Sequence, residues 1–139
     1  MWTSEDSKAL MWRITDEIWN NGRLDLIDEL IADDLVDHVE LTGLAGTGRA
    51  RYRASIEVMR AAFPDYKNPL DFVLADGTFA VSYGRSTGTH RGEFMGIPPT
   101  DRSFDVPTFG ILRFANGQAV ERWGAADNLQ MLQQLGVMG

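Results

Sequence analysis

Residues 78–90 read Thr78-Phe79-Ala80-Val81-Ser82-Tyr83-Gly84-Arg85-Ser86-Thr87-Gly88-Thr89-His90, and their reading decides the fold. Side chains alternate across a strand, so this stretch has two faces of different character. Phe79, Val81, Tyr83, Arg85 and Thr87 make one face; Ala80, Ser82, Gly84, Ser86, Gly88 and His90 make the other. Glycines inside long strands mark bends or close approaches, so Gly84, Gly88 and the later Gly110 predict a strongly curved sheet. The letters Gly84-x-Ser86-x-Gly88 match a serine-hydrolase elbow. That elbow needs a strand-to-helix turn, and this one lies within a strand.

Outward from this strand the pattern continues as sheet on both sides. Leu70, Phe72 and Leu74 alternate with polar residues up to an Asp76-Gly77 turn. A loop over Arg91 to Asp101 leads to a strand over 103–114, a tight hairpin at Asn116-Gly117, and a strand over 118–123. Asp127 caps a short last helix ended by Gly136. Upstream the period is helical. A helix starts at Ser4 with Met11, Trp12, Ile14, Ile18 and Trp19 at helical spacing, and a second spans Leu24 to Ile31. A short strand covers Leu35 to Val39, a loop runs through Gly43, Gly46 and Gly48, and a third helix reaches Phe63. Helices followed by a curled meander predict one α+β domain over residues 1–139: a cone-shaped, barrel-like antiparallel sheet with N-terminal helices over one face.

Composition excludes several functions. The formal charge of −7 and the lack of a basic stripe argue against nucleic acid as a partner. No apolar run reaches the ~20 residues of a membrane span. Residues 1–6 lack the basic and apolar regions of a signal peptide, and the absence of cysteine is compatible with the cytoplasm. Two histidines without ligand spacing predict no metal site.

Several segments resemble the SnoaL-like polyketide cyclase family of the nuclear-transport-factor-two-like superfamily. They are 19–31, opening with Trp19-Asn20-Asn21-Gly22-Arg23; Ala61-Ala62-Phe63-Pro64-Asp65; residues 88–102; Phe114-Ala115-Asn116-Gly117 with Glu121-Arg122-Trp123 and Asp127; and Leu132-Gln133-Gln134-Leu135-Gly136. The resemblance implies a conical pocket for a small, largely apolar ligand, polyketide- or terpenoid-like. It implies intramolecular aldol chemistry without metal or cofactor, driven by a carboxylate on the last strand and a histidine on the strand before. Those two positions fall on Gly124 and Gly110, where both side chains are missing. Relatives of this fold also include epoxide hydrolases, isomerases and non-enzymatic binders, and the fold alone does not choose among them.

The residues leave these readings open. Asp127 is a candidate general base at the pocket mouth, or the cap of the last helix. His38 is a candidate proton relay on the short strand, with Asp37 and Glu40 pointing away from it. Tyr83 is a candidate oxyanion donor if its face looks inward. Arg85 would then need a carboxylate, and Asp105 or Asp127 could supply it; with both, the set would resemble an epoxide-hydrolysing relay. Trp19, Tyr52, Phe63, Phe109 and Trp123 are candidate aromatic walls for a flat ligand, and Trp19 falls where the family's substrate-contacting aromatic does. The small-residue face of the long strand, with Phe109 and Ile111 beside it, is expected to lie outside and to pack against a second copy in a homodimer.

Overall fold

A computed structural model describes residues 1–39, 44 and 46–138. Glu40, and the Gly43 part of the expected loop, lie outside the described residues. Helix α1 (Ser4–Arg13) passes directly into a π-helical turn (Ile14–Asn20). A 3₁₀ turn (Leu24–Leu26), α2 (Ile27–Leu30), β1 (Ile31–Asp37) and α3 (Gly48–Ala62) follow. The meander is β2 (Leu70–Asp76), β3 (Phe79–Thr89), β4 (Ser103–Ala115) and β5 (Gln118–Ala126), and α4 (Asn128–Gln134) ends the chain. The N-cap of α1 is Thr3 rather than Ser4. Thr3 and Asp6 form a reciprocal capping box, while Ser4 Oγ accepts the Gly77 N–H at 2.8 Å. No described helix is long and apolar enough to cross a membrane.

The strand order is β1-β5-β4-β3-β2. The meander is antiparallel as expected, but β1 joins β5 in parallel, so the sheet is mixed. The sheet is also open rather than a barrel. A parallel neighbour needs a crossover, and α3 with the first three meander strands lies between β1 and β5 in sequence. Helix α1 packs on β2 and β3, α3 on β1, and α4 on β4.

The sidedness of β3 is the reverse of the expectation. Ala80, Ser82, Gly84, Ser86 and Gly88 are buried under the helices, and Phe79, Val81 and Arg85 are exposed. Register places Ile111 opposite Val81 and Phe109 opposite Tyr83, so these two share the outer face with the large residues, not with the small ones. The cause is close packing within the chain. A Cβ at Gly88 would lie 2.9 Å from Phe63 Cβ and 3.0 Å from Phe104 Cε1, and one at Gly84 would fall on the Pro69 carbonyl. Small side chains thus admit the protein's own core against the sheet.

Two buried clusters form that core. One joins α1, the π turn, α2 and α3 to the sheet through Met11, Ile18, Ile27, Ile56 and Phe114. The other gathers Phe63, Phe94, Phe104, Val106 and Met131. Trp19 packs against both. Adding one methyl group at Gly88 overpacks the second cluster. Gly88→Ala is therefore expected to lower stability by about 1–3 kcal/mol, read as a lower urea midpoint at unchanged m-value. An unchanged midpoint contradicts the close approach.

Candidate functional site

The first helix does not end where its α-helical hydrogen bonds do. It widens into the π turn, and the residues just beyond bond to its carbonyls five and six positions back: Asn21 N–H to Asp16 at 3.1 Å and Arg23 N–H to Glu17 at 2.9 Å. This turn brings Ile14, Thr15 and Trp19 to the inner face of the sheet. The Trp19 indole N–H donates to the Tyr52 hydroxyl of α3 at 2.8 Å, and the two rings meet edge to face.

Alternation on β1 sends Leu35 and Asp37 inward and Val36 and His38 outward. The Asp37 side chain is only 3 % exposed. Its Oδ2 accepts from Arg122 Nη1 at 3.1 Å, and its Oδ1 accepts from the Val39 N–H at 3.0 Å. Arg51 Nη1 of α3 lies 3.9 Å from the same Oδ2 and donates to the Val39 carbonyl at 3.0 Å. The Arg122 guanidinium lies over the Trp19 and Tyr52 rings, 5.3 and 5.0 Å from their centres. Removing one member of such a buried pair strands the other charge and typically costs about 3–5 kcal/mol.

A second polar row crosses the sheet. Tyr66 Oη lies 3.1 Å from Ser86 Oγ, which lies 2.5 Å from Thr108 Oγ1. Burial pushes the Tyr66 and Tyr52 phenols above the ordinary tyrosine value, against the lowering effect of their hydrogen bonds and of Arg122. Both stay neutral at physiological pH.

Asp37, Arg51, Tyr66, Ser86, Thr108 and Arg122 line a cavity of ≈ 390 Å³ bounded by β1, α3, β3, β4, β5 and α4, with apolar walls from Met59, Phe104, Val106 and Met131. A deeper chamber of ≈ 90 Å³ continues beneath Trp19, Tyr66 and Arg122 toward Met11, Ile14 and Ser82. Gly110 and Gly124 are paired directly across β4 and β5 and border this chamber. A Cβ at Gly110 would face Ser82 Oγ at 3.1 Å and Met11 Cε at 3.7 Å, so this position looks into the interior.

The expected site residues are divided between the two sides of the sheet. Trp19 and Phe109 line both spaces, His38 the larger one, and Tyr52 and Trp123 the inner one, although the Phe109 ring is half exposed on the outer face. Phe63 is core and borders neither. The face carrying Tyr83 looks outward, and its ring stacks between Phe72 and Phe109 on the outer surface. Arg85 does pair with Asp105, at 2.6 Å, but on the exposed side; Asp127 is not part of that pair. Asp127 Oδ1 accepts the Gln130 N–H at 3.0 Å, which makes it the N-cap of α4. The His38 ring stacks on Trp123, which also meets Phe79, and its Nε2 lies 2.7 Å from Glu121 Oε2. The hydrogen bond from His38, with Arg113 beside it, holds the Glu121 carboxyl below its ordinary value. Asp37, Arg51, Arg122 and the Tyr66 row were missed by sequence reasoning. The available signal was parity: Asp37 is two residues from the core residue Leu35 and so shares its face.

Residues 9–135 match the sequence pattern described as "SnoaL-like polyketide cyclase". The chain is 28% identical over 119 residues to the nogalonic acid methyl ester cyclase of Streptomyces nogalater, covering 85% of this chain and 89% of that protein. Among solved structures it resembles IdmH of Streptomyces antibioticus, a candidate polyketide cyclase. That similarity has 32% identity and a TM-score of 0.80, over 94% of this chain and 99% of the other. It also resembles AclR of Streptomyces galilaeus, a candidate hydroxylase, with 26% identity and a TM-score of 0.82 over 99% and 89%.

The two buried phenols make a pH test of this site. A raised folded-state pKa contributes stability below the unfolded value near ~10, and that contribution is lost as pH rises through the folded value. In a Tyr83→Phe background, the phenolate absorbance of Tyr52 and Tyr66 is expected to appear only together with loss of near-ultraviolet dichroism. Ionisation of either in the intact fold contradicts the burial described.

Proposed function

Since the chain belongs to the SnoaL-like polyketide cyclase family, we propose that it acts on a small, flat, polyketide-like carbonyl compound by cofactor-independent acid/base chemistry, with Asp37 as the proton acceptor. The observation that carries this reading is the Asp37–Arg122 pair, 3.1 Å apart within a cavity whose described lining holds no other carboxylate. The relative from S. nogalater, named as a cyclase, supports the reaction class.

Asp37 takes a proton from the carbon next to a ligand carbonyl. The resulting enolate oxygen is stabilised by the Arg122 guanidinium, a fixed charge in a site with limited water. The enolate carbon then attacks a second carbonyl of the same ligand. The new alkoxide recovers the proton from Asp37, so the product is an isomer and nothing is consumed. Trp19 and Tyr66 flank the ring system. Asp127 is occupied as a helix cap, Tyr83 and Arg85 serve the outer surface, and His38, which borders the cavity, is held by Glu121 and Trp123, so none of them enters this scheme. An epoxide-hydrolysing relay is less favoured, since it needs a second carboxylate beside the arginine. The non-catalytic reading draws on Gly110 and Gly124, whose bare positions fit a site used for binding alone.

Proton abstraction has a direct readout. A flat aryl 1,3-dicarbonyl compound in deuterated buffer is expected to exchange its activated hydrogens faster with the protein than without it. Asp37→Asn should lower the catalysed rate by about 10²-fold or more. Binding without exchange by the native protein establishes the non-catalytic reading instead.

The outer face supports assembly as a homodimer. Phe72, Leu74 and Phe109 are exposed there at 46%, 62% and 52%, contiguous with Val81, Tyr83 and Trp123. The Arg85–Asp105 and Arg113–Glu121 pairs neutralise most of the charge on this surface within the chain, as suits a two-fold contact of like with like. Light scattering should give twice the 15.5 kDa chain mass, returning to 15.5 kDa in Val81→Arg. A native monomer at micromolar concentration ends this reading.

A further inference from the structure

We propose that the ligand of this cavity carries an ionised acidic oxygen group, which docks between Arg51 and Arg122. The proposal rests on the ligand-binding reading above and specifies the class of molecule that fits.

The argument is one of charge. The protein as a whole is acidic, with 20 Asp and Glu against 13 Lys and Arg. Several surface arginines each face a carboxylate of their own: Arg23 with Asp25, Arg85 with Asp105 and Arg91 with Asp101. The balance inside the cavity is different. Its described lining holds two guanidiniums, Arg51 and Arg122, and they share one carboxylate, Asp37. The His38 side chain adds no free partner, because it is turned onto Glu121 and Trp123. Among the described residues of the cavity, one positive charge is therefore in surplus.

The donors lead to the same conclusion. Arginine has five N–H groups and no acceptor. Among the described residues, Arg122 makes one hydrogen bond, from Nη1 to Asp37, and Arg51 makes one, from Nη1 to the Val39 carbonyl. Their side chains are 16% and 20% exposed, and both line the cavity, so donors without a protein partner are left to water when no ligand is bound. A neutral apolar ligand would strip that water and leave a desolvated cation with unmet donors. An anionic oxygen group replaces the water with charge-assisted hydrogen bonds and neutralises the excess. The apolar walls from Val106 and Met131 receive the rest of the molecule.

Matched acid and ester probes test this. Anthraquinone-2-carboxylate and its methyl ester have the same ring system and differ in charge. Affinities are read from quenching of tryptophan fluorescence and confirmed by calorimetry at pH 7. The acid is expected to bind at least about tenfold more tightly than the ester. Raising salt from about 50 mM to about 500 mM should weaken the acid and leave the ester unchanged. Arg51→Gln keeps the Asp37–Arg122 pair and should bring the two affinities within about threefold by weakening the acid alone. Unchanged ester affinity in that variant reports an intact cavity. Equal affinities in the native protein, or tighter ester binding, overturn the proposal while leaving the cavity reading intact. An acid preference that survives in Arg51→Gln overturns it as well. If neither probe binds, the ligand-binding reading falls and this proposal with it.

Discussion

The ion pair between Asp37 and Arg122 organises the inner side of the molecule. It links the edge strand β1 to β5 through side chains as well as through backbone pairing. Arg122 also rests on Trp19 from the π turn and Tyr52 from α3, so four elements meet at one guanidinium. A buried pair of this kind contributes little net stability compared with an apolar contact, since both ions lose their water. Stability alone therefore does not account for its place in the cavity wall.

The sheet separates two tasks. Its inner face is stepped, with glycine and serine on β3 where the core presses close and larger residues elsewhere. Its outer face is a continuous aromatic surface, with Phe72 on Tyr83, Tyr83 on Phe109 and Phe79 on Trp123. Cross-strand aromatic pairs stabilise a sheet whichever side they occupy. Here they do so without competing for space with a ligand.

This separation also explains what was legible in the sequence. Element order followed from periodicity, because the apolar positions of α1 and α3 and the turns at Asp76-Gly77 and Asn116-Gly117 are local signals. The two faces of β3 were legible, but not which of them looks inward. A row of small residues fits a foreign surface as well as the protein's own helices, and only the approach of Phe63 and Pro69, distant in sequence, decides between them. Tyr83 was displaced to the outside by that one inversion. Asp127 read equally well as base or cap, and its backbone partner Gln130 gives it the cap. The parallel pairing of β1 was not legible, since β1 meets β5 across some 80 residues of chain. With that pairing hidden, so was the meeting of Asp37 with Arg122.

The π turn at Ile14–Asn20 bears on how such a chain varies. A π segment accommodates extra backbone within a continuous helix, and one residue fewer could be absorbed as ordinary α-helix with little disturbance to the turns before it. Because the wider turn takes up the added residue locally, the direction of the chain beyond it changes little, and Trp19 keeps its place beside Tyr52 and Arg122 whichever form the segment takes. In an unbroken α-helix the same change of one residue would rotate everything after it by about 100°. The position of Trp19 is thus set by the π turn and its contacts rather than by its count from the start of the helix.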